Sequence, residues 1–144
     1  MVHSIAEFFL DTNIFMYAAG KPHKFKEPCI AILSKIASGN MNAAVDTEVF
    51  QEIMYRYHHI GLADKGTDLA WGIMELDIDV LPILKKDIEV SLYYYQKYRG
   101  DSISPRDLIH AATMRNNGIE KIISVDKHFD RIEEVNRIDP HKLI

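Results

Sequence analysis

Short apolar runs alternate with longer amphipathic stretches along nearly the whole chain, and this alternation restricts the fold more than any single motif does. Ile5 to Leu10 is an apolar and aromatic run ending at Asp11, with the length and composition of a buried strand rather than a helix. A helical segment, Thr12 to Ala19, follows and is closed by Gly20 and Pro22. Phe25 to Ala37 sets Phe25, Cys29, Ile32, Leu33 and Ile36 at helical spacing, with Gly39 placed for a left-handed cap. Met41 to Val45 is a second strand. Beyond Thr47, the residues Val49, Phe50, Ile53, Met54, Tyr57 and Ile60 recur with the three-and-four step of an amphipathic helix that Gly61 stops. The series continues with a helix at Ala63 to Leu76, a strand at Asp77 to Leu84 whose Pro82 marks an end or an edge, and a helix at Asp87 to Tyr98. Gly100 to Ile103 is loop. Ser104, Pro105 and Asp107 supply cap, first-turn proline and capping-box acid for a helix reaching Asn117, with Gly118 behind it. Lys121 to Val125 and Glu134 to Ile138 complete the strands, separated by a turn at Asp126 to Phe129. Crossovers of this length predict a parallel sheet covered by helices on both faces.

With 144 residues, 47% of them apolar, the chain reads as one domain over residues 1–144 that needs neither disulfide nor metal merely to hold a core. The single cysteine, Cys29, excludes disulfide scaffolds and Cys-rich zinc sites, and a reducing cytoplasm is expected. MVHSIAEFFLDT has no basic region and no cleavage site of a signal peptide, and no other apolar stretch approaches the roughly 18 residues of a membrane span. A net charge of -4 excludes a protein that coats nucleic acid through a basic face alone. Neither Gly-Lys-Ser/Thr nor Gly-x-Gly occurs, so the chain carries no P-loop and no dinucleotide fingerprint.

Ligands of an open parallel sheet collect beyond the carboxyl ends of the strands. Asp11 closes the first strand in FFLDTN and Asp126 follows the fourth in IISVD. Asp107, in the first turn of its helix, and either Glu48 or Glu52, four apart on one helix face, complete a ring of acids. Each acid alone also fits an ordinary helix cap or a solvated helix position. Together at one sheet edge they would repel and resist ionising unless a cation lay among them. Oxygen-only donors suit Mg²⁺ or Mn²⁺, and such an ion supports phosphodiester hydrolysis without a side-chain nucleophile.

The same residues resemble the PIN domain, and particularly the VapC-type toxins of prokaryotic toxin and antitoxin pairs. FFLDTNIFMYA is similar to the family's apolar strand followed by Asp-Thr-Asn, which carries the first metal-site acid to Asp11. VDTEVFQEIMYRY resembles the family segment that carries its glutamate to Glu52, with Glu48 as the fallback. SPRDLIHAATMRNNG carries the third acid to Asp107, and IISVDKHFDRI carries the fourth to Asp126 and a polar supporting role to Ser124, where the family usually has Thr. The resemblance covers about Phe8 to Ile138 with its motifs in the family's order. It implies a PIN-like three-layer sandwich, a five-stranded parallel sheet with strands one and four adjacent at its centre and helices on both faces. It also implies Mg²⁺- or Mn²⁺-dependent cleavage of RNA by Asp11, Glu52, Asp107 and Asp126, in a homodimer silenced by a cognate antitoxin.

Other residues are weighed against ordinary packing. Asn13 serves either to orient a carboxylate or to cap locally. Asp130 reads as a surface acid beside Arg131, Asp46 as a helix cap, and His110 as a buried, satisfied histidine. His58 and His59 lack the spaced partner of a zinc motif. Arg106, Lys127, His128 and the loop cations Lys21, His23, Lys24 and Lys26 are placed to meet flanking phosphates. Tyr93, Tyr94, Tyr95 and Tyr98 wrap too much of one helix for a single core face. The rival classes are a housekeeping RNA-processing nuclease, a catalytically idle binding partner of this fold, and a phosphatase with Asp11 as nucleophile, which would want an acid where Asn13 stands.

Overall fold

A computed structural model describes residues 6–144; Ile5, where the first strand is expected to begin, lies outside them. The chain order is β1 (Phe8–Leu10), α1 (Thr12–Ala19), α2 (Lys26–Ala37), β2 (Ala43–Asp46), α3 (Thr47–His59), α4 (Ala63–Glu75), β3 (Asp79–Leu81), α5 (Lys85–Tyr98), α6 (Pro105–Asn116), β4 (Lys121–Ile123) and β5 (Asn136–Ile138). Short 3-10 turns cover Arg99–Asp101, Lys127–Arg131 and Pro140–Leu143. The strands form one five-stranded sheet, order β3-β2-β1-β4-β5, with each pair parallel. Phe9 is in register with Ala44 on one side and Ile122 on the other. The order in which successive strands are added thus reverses between β1 and β4, where a ligand site is expected.

Alternation along each strand divides the core into two layers. Phe8 and Leu10, Ala43 and Val45, and Ile123 face one layer, which α1 to α4 cover with Ile14, Phe15, Cys29, Ile32, Ile36, Val49, Ile53, Tyr57 and Ile73. Phe9, Ala44 and Ile122 face the other, covered by Tyr94 and Tyr98 of α5 and Leu108, Ala111, Ala112 and Met114 of α6. The central strands are apolar on both faces because helices bury both. β3 is an edge strand, as Pro82 suggested, and it stops at Leu81. The tyrosines of α5 divide between core and solvent: Tyr94 and Tyr98 are buried, Tyr93 and Tyr95 exposed.

One close approach sets the α3–α4 pair. A Cβ on Gly66 would lie 2.6 Å from the Tyr57 Cβ, so only glycine lets α4 pass this near to α3.

Candidate active site

Four segments bring their acids to the carboxyl edge of the sheet. β1 ends at Leu10, and the Asp11 N–H donates to the Ile123 carbonyl at 3.1 Å, tying that residue to the end of β4. Asp11 also caps α1, accepting from the Thr12 N–H at 2.8 Å. On the far side, Asp126 accepts from the His128 N–H at 2.9 Å, and Ser104 caps α6, accepting from the Asp107 N–H at 3.1 Å. Helix capping and site formation are therefore the same local structure at Asp11 and Asp126. A cavity of about 290 Å³ opens there, and Asp11, Glu52, Asp107 and Asp126 all line it.

Ser124 joins two of these acids. Its hydroxyl donates to Asp11 Oδ2 at 2.6 Å and accepts from the Asp126 N–H at 2.9 Å. The Asn13 amide donates to the same Asp11 oxygen at 3.1 Å, so Asn13 orients a carboxylate. Glu48 turns away: its Oε2 takes the Arg106 Nε at 3.0 Å and it does not line the cavity, whereas Glu52 does. Arg56, four residues beyond Glu52, meets it at 3.2 Å. Asp130 pairs with Arg137 at 2.9 and 3.2 Å rather than with Arg131, because β5 brings Arg137 over the turn after β4. Lys26, the first residue of α2, is spent on the Gly20 carbonyl, and the loop between α1 and α2 contributes nothing to the cavity lining.

His110 is the residue sequence reasoning undervalued. It is fully buried beside Phe9, and its Nδ1 donates to Asp46 Oδ2 at 2.8 Å. The expectation of a satisfied histidine holds for that nitrogen only. Nε2 has no hydrogen-bond partner and lies 3.9 Å from Glu52 Oε1. Asp46 is the α3 cap that its position suggested, accepting from the Val49 N–H at 3.3 Å, and it spends its second oxygen on His110. Nothing in the sequence links two residues 64 apart.

Electrostatics follow from this packing. Burial pushes the Asp11 carboxyl above its ordinary range, against the pull of His110 and the Ser124 hydroxyl. Asp107 is pushed up to about 7 by burial and by the Asp11 and Asp126 charges. Burial also opposes ionisation of Glu52, but His110 and Arg56 beside it outweigh burial and hold it below the usual carboxylate range. Burial lowers His110, yet the charge and hydrogen bond of Asp46 raise it well above its ordinary value.

The residues fit a hard divalent cation. Ligand atoms of Asp11, Glu52 and His110 lie within 4.8 Å of one another, and three buried polar atoms around them, Thr12 Oγ1, Asn13 Oδ1 and His110 Nε2, lack partners. Buried polar groups are nearly always satisfied, so a cluster of orphans marks a place for a bound group. Most of the donors at the cavity are carboxylate oxygens, which suit a hard divalent cation.

Comparison with known proteins agrees with the geometry. Residues 8–135 match the family model described as PIN domain. The chain is 31% identical over 129 residues to the ribonuclease VapC13 of Mycobacterium tuberculosis and to the VapC ribonuclease Mb1869c of Mycobacterium bovis, covering 90% of this chain and 97% of each of those. Its fold matches Mycobacterium tuberculosis VapC20, a toxin that cleaves the sarcin-ricin loop, with a TM-score of 0.75, 13% identity, and coverage of 88% of this chain and 95% of that one. It equally matches the DNA-bound VapBC of Salmonella typhimurium, with a TM-score of 0.75, 16% identity, and coverage of 94% and 99%.

Proposed function

The chain belongs to the PIN domain family and, within it, to the VapC ribonucleases, and from that membership we propose that it hydrolyses RNA with Mg²⁺ or Mn²⁺ as the toxin of a toxin-antitoxin pair. One observation carries the proposal: carboxylates from four separate segments line a single cavity. Asp11, Glu52, Asp107 and Asp126 would hold the ion. When bound, such an ion lowers the pKa of a water and offsets charge on phosphate oxygens. Ser124 and Asn13 hold Asp11 in one orientation, and Asp46 does the same for His110. Arg56 and Arg106, at the cavity wall, offer guanidinium groups to the RNA backbone. Charge alone does not attract RNA to this acidic chain, so the site itself must.

Neighbours solved as VapBC complexes support a cognate antitoxin as partner. Exposed Leu84, just ahead of α5, and Ile88, Leu92 and Tyr95 on it support a homodimer. No helix among the described residues is long and apolar enough to cross a membrane, and the cytoplasm is the compartment we propose.

The test is cleavage of a panel of transfer and ribosomal RNAs with and without chelator. Wild-type protein is expected to cut in Mn²⁺ and to stop in EDTA. Asp107→Ala is expected to abolish cleavage while melting at or above the wild-type temperature, because it removes a carboxylate whose ionisation its neighbours oppose. Cleavage that survives in EDTA, or in Asp107→Ala, contradicts the proposal.

A further inference from the structure

Next to the acidic cavity, α3 and α6 build a second surface that neither the core nor the carboxylates require. Tyr55 is 56% exposed although it is a large aromatic side chain. Its ring lies nearly parallel to that of His59, one helical turn on, with centroids 5.9 Å apart and planes 15° apart. From α6, the Arg106 guanidinium sits 5.9 Å from the centre of the Tyr55 ring. Glu48 fixes Arg106 through Nε alone, leaving Nη1 and Nη2 with no protein partner among the described residues.

Arg106 also lines the cavity, and so does Arg56, the residue that follows Tyr55. The surface is thus a ladder of guanidinium, phenol and imidazole that begins at the cavity wall and runs outward along α3. The last turn of α3 carries Arg56, His58 and His59, a local concentration of basic groups on a chain of net charge -4. Unpaired bases of single-stranded RNA stack on tyrosine, histidine and arginine planes, and the backbone is held by adjacent cations.

We propose that Tyr55, with His59 and Arg106, is a stacking platform for one unpaired base of an RNA strand whose backbone crosses the acidic cavity. Arg106 and Arg56 take the phosphates beside the one that is cut. The platform rests on the ribonuclease reading above and adds to it a site that chooses how the strand lies. Stacking tolerates any base, so its mark is dependence on the presence of a base at one position rather than on its identity.

The experiment uses the full chain in Mn²⁺ and a single-stranded RNA oligonucleotide that it cleaves, with one nucleotide at a time made abasic. For wild type, an abasic nucleotide at one position near the cut is expected to raise KM by about ten-fold. Tyr55→Ala is expected to raise KM on intact RNA by about the same factor, to lose all further sensitivity to the abasic position, and to keep kcat within about two-fold. Tyr55→Phe, which keeps the ring, is expected to match wild type. As a readout free of turnover, 2-aminopurine at that position is expected to lose emission on binding to Asp11→Asn and to keep it on binding to the Asp11→Asn, Tyr55→Ala double variant.

A wild-type KM in Tyr55→Ala overturns the proposal, as does an abasic penalty that persists in that variant. If Tyr55→Ala instead dissociates an oligomer and leaves KM alone, the ring belongs to a protein interface and the platform is wrong. Failure of wild type to cut any RNA sinks the ribonuclease reading itself, and it is told apart because it appears before any variant is compared.

Discussion

Asp107 holds its proton to about pH 7 because burial and the Asp11 and Asp126 carboxylates oppose its ionisation. In the unfolded chain it ionises near its ordinary 3.8, so between those values the folded protein binds a proton that the unfolded one has released. Stability from this group therefore falls as pH rises through that window. His110 acts in the same sense: its contribution is complete below its ordinary 6.5 and is lost as pH climbs through its raised folded value. Glu52, held low, contributes in the opposite sense and only on acidification below its ordinary 4.5. The metal-free protein is thus expected to melt at a lower temperature at about pH 7.5 than at about pH 5.5, and added Mn²⁺ to raise the midpoint more at the higher pH. Scanning calorimetry in the two buffers checks both signs. Cys29 makes a second residue-level case: burial, then Asp139, push its thiol up to about 12. At about pH 8 only on the order of one thiol in ten thousand is ionised, so Ellman's reagent is expected to leave it unmodified until guanidinium unfolds the chain. Among individual residues, Asp11, Asp107 and Asp126 drew notice because each follows a strand or opens a helix, yet each alone fitted an ordinary cap, and only the fold brings all three to one cavity. The Glu48 and Glu52 alternatives were not separable that way, since both lie on one helix face; what distinguishes them is Arg106, 58 residues from Glu48, drawing Glu48 aside.

At the level of the element, helices were readable nearly to their ends and strands only to their centres. α3 and α6 carry caps in Asp46 and Ser104 and a strong apolar stripe or an N1 proline, so local chemistry defines their bounds. β3 was expected over Asp77 to Leu84 and pairs only over Asp79–Leu81, because the Ile78 N–H turns back to the Leu76 carbonyl at 2.9 Å and Pro82 has no N–H to give. The helix at Asp87 begins two residues early because the Asp87 carboxylate reaches back to the Leu84 N–H at 2.7 Å. Gly66 shows a constraint that composition hides. Gly66→Ala gains about 1 kcal/mol of helix propensity, but forces a Cβ against the Tyr57 Cβ at 2.6 Å, and overpacking of this kind costs about 1–3 kcal/mol. A net loss of stability is expected, seen as a lower urea midpoint with an unchanged slope; a midpoint at or above wild type would mean that α4 shifts freely on α3.

For the molecule as a whole, periodicity established a parallel α/β sandwich but not the order of its strands. Nothing in the pattern of Phe8 to Leu10 or Lys121 to Ile123 says that these strands are neighbours; that expectation came from the family resemblance, and the register of Phe9 on Ile122 bears it out. The adjacency matters because it sets Asp11 and Asp126 on the two sides of one Ser124 hydroxyl. The buried Asp46–His110 pair was invisible for the same reason: it joins β2 to α6 through space and leaves no mark on either segment. The folded chain thus concentrates carboxylates where a small, hard ion would relieve the repulsion among them. Anomalous diffraction from a crystal soaked in Mn²⁺ tests this most directly. A peak within roughly 2.0–2.3 Å of carboxylate oxygens of Asp11 and at least one of Glu52, Asp107 and Asp126 is expected. An empty cavity in a crystal that takes up Mn²⁺ elsewhere would contradict it.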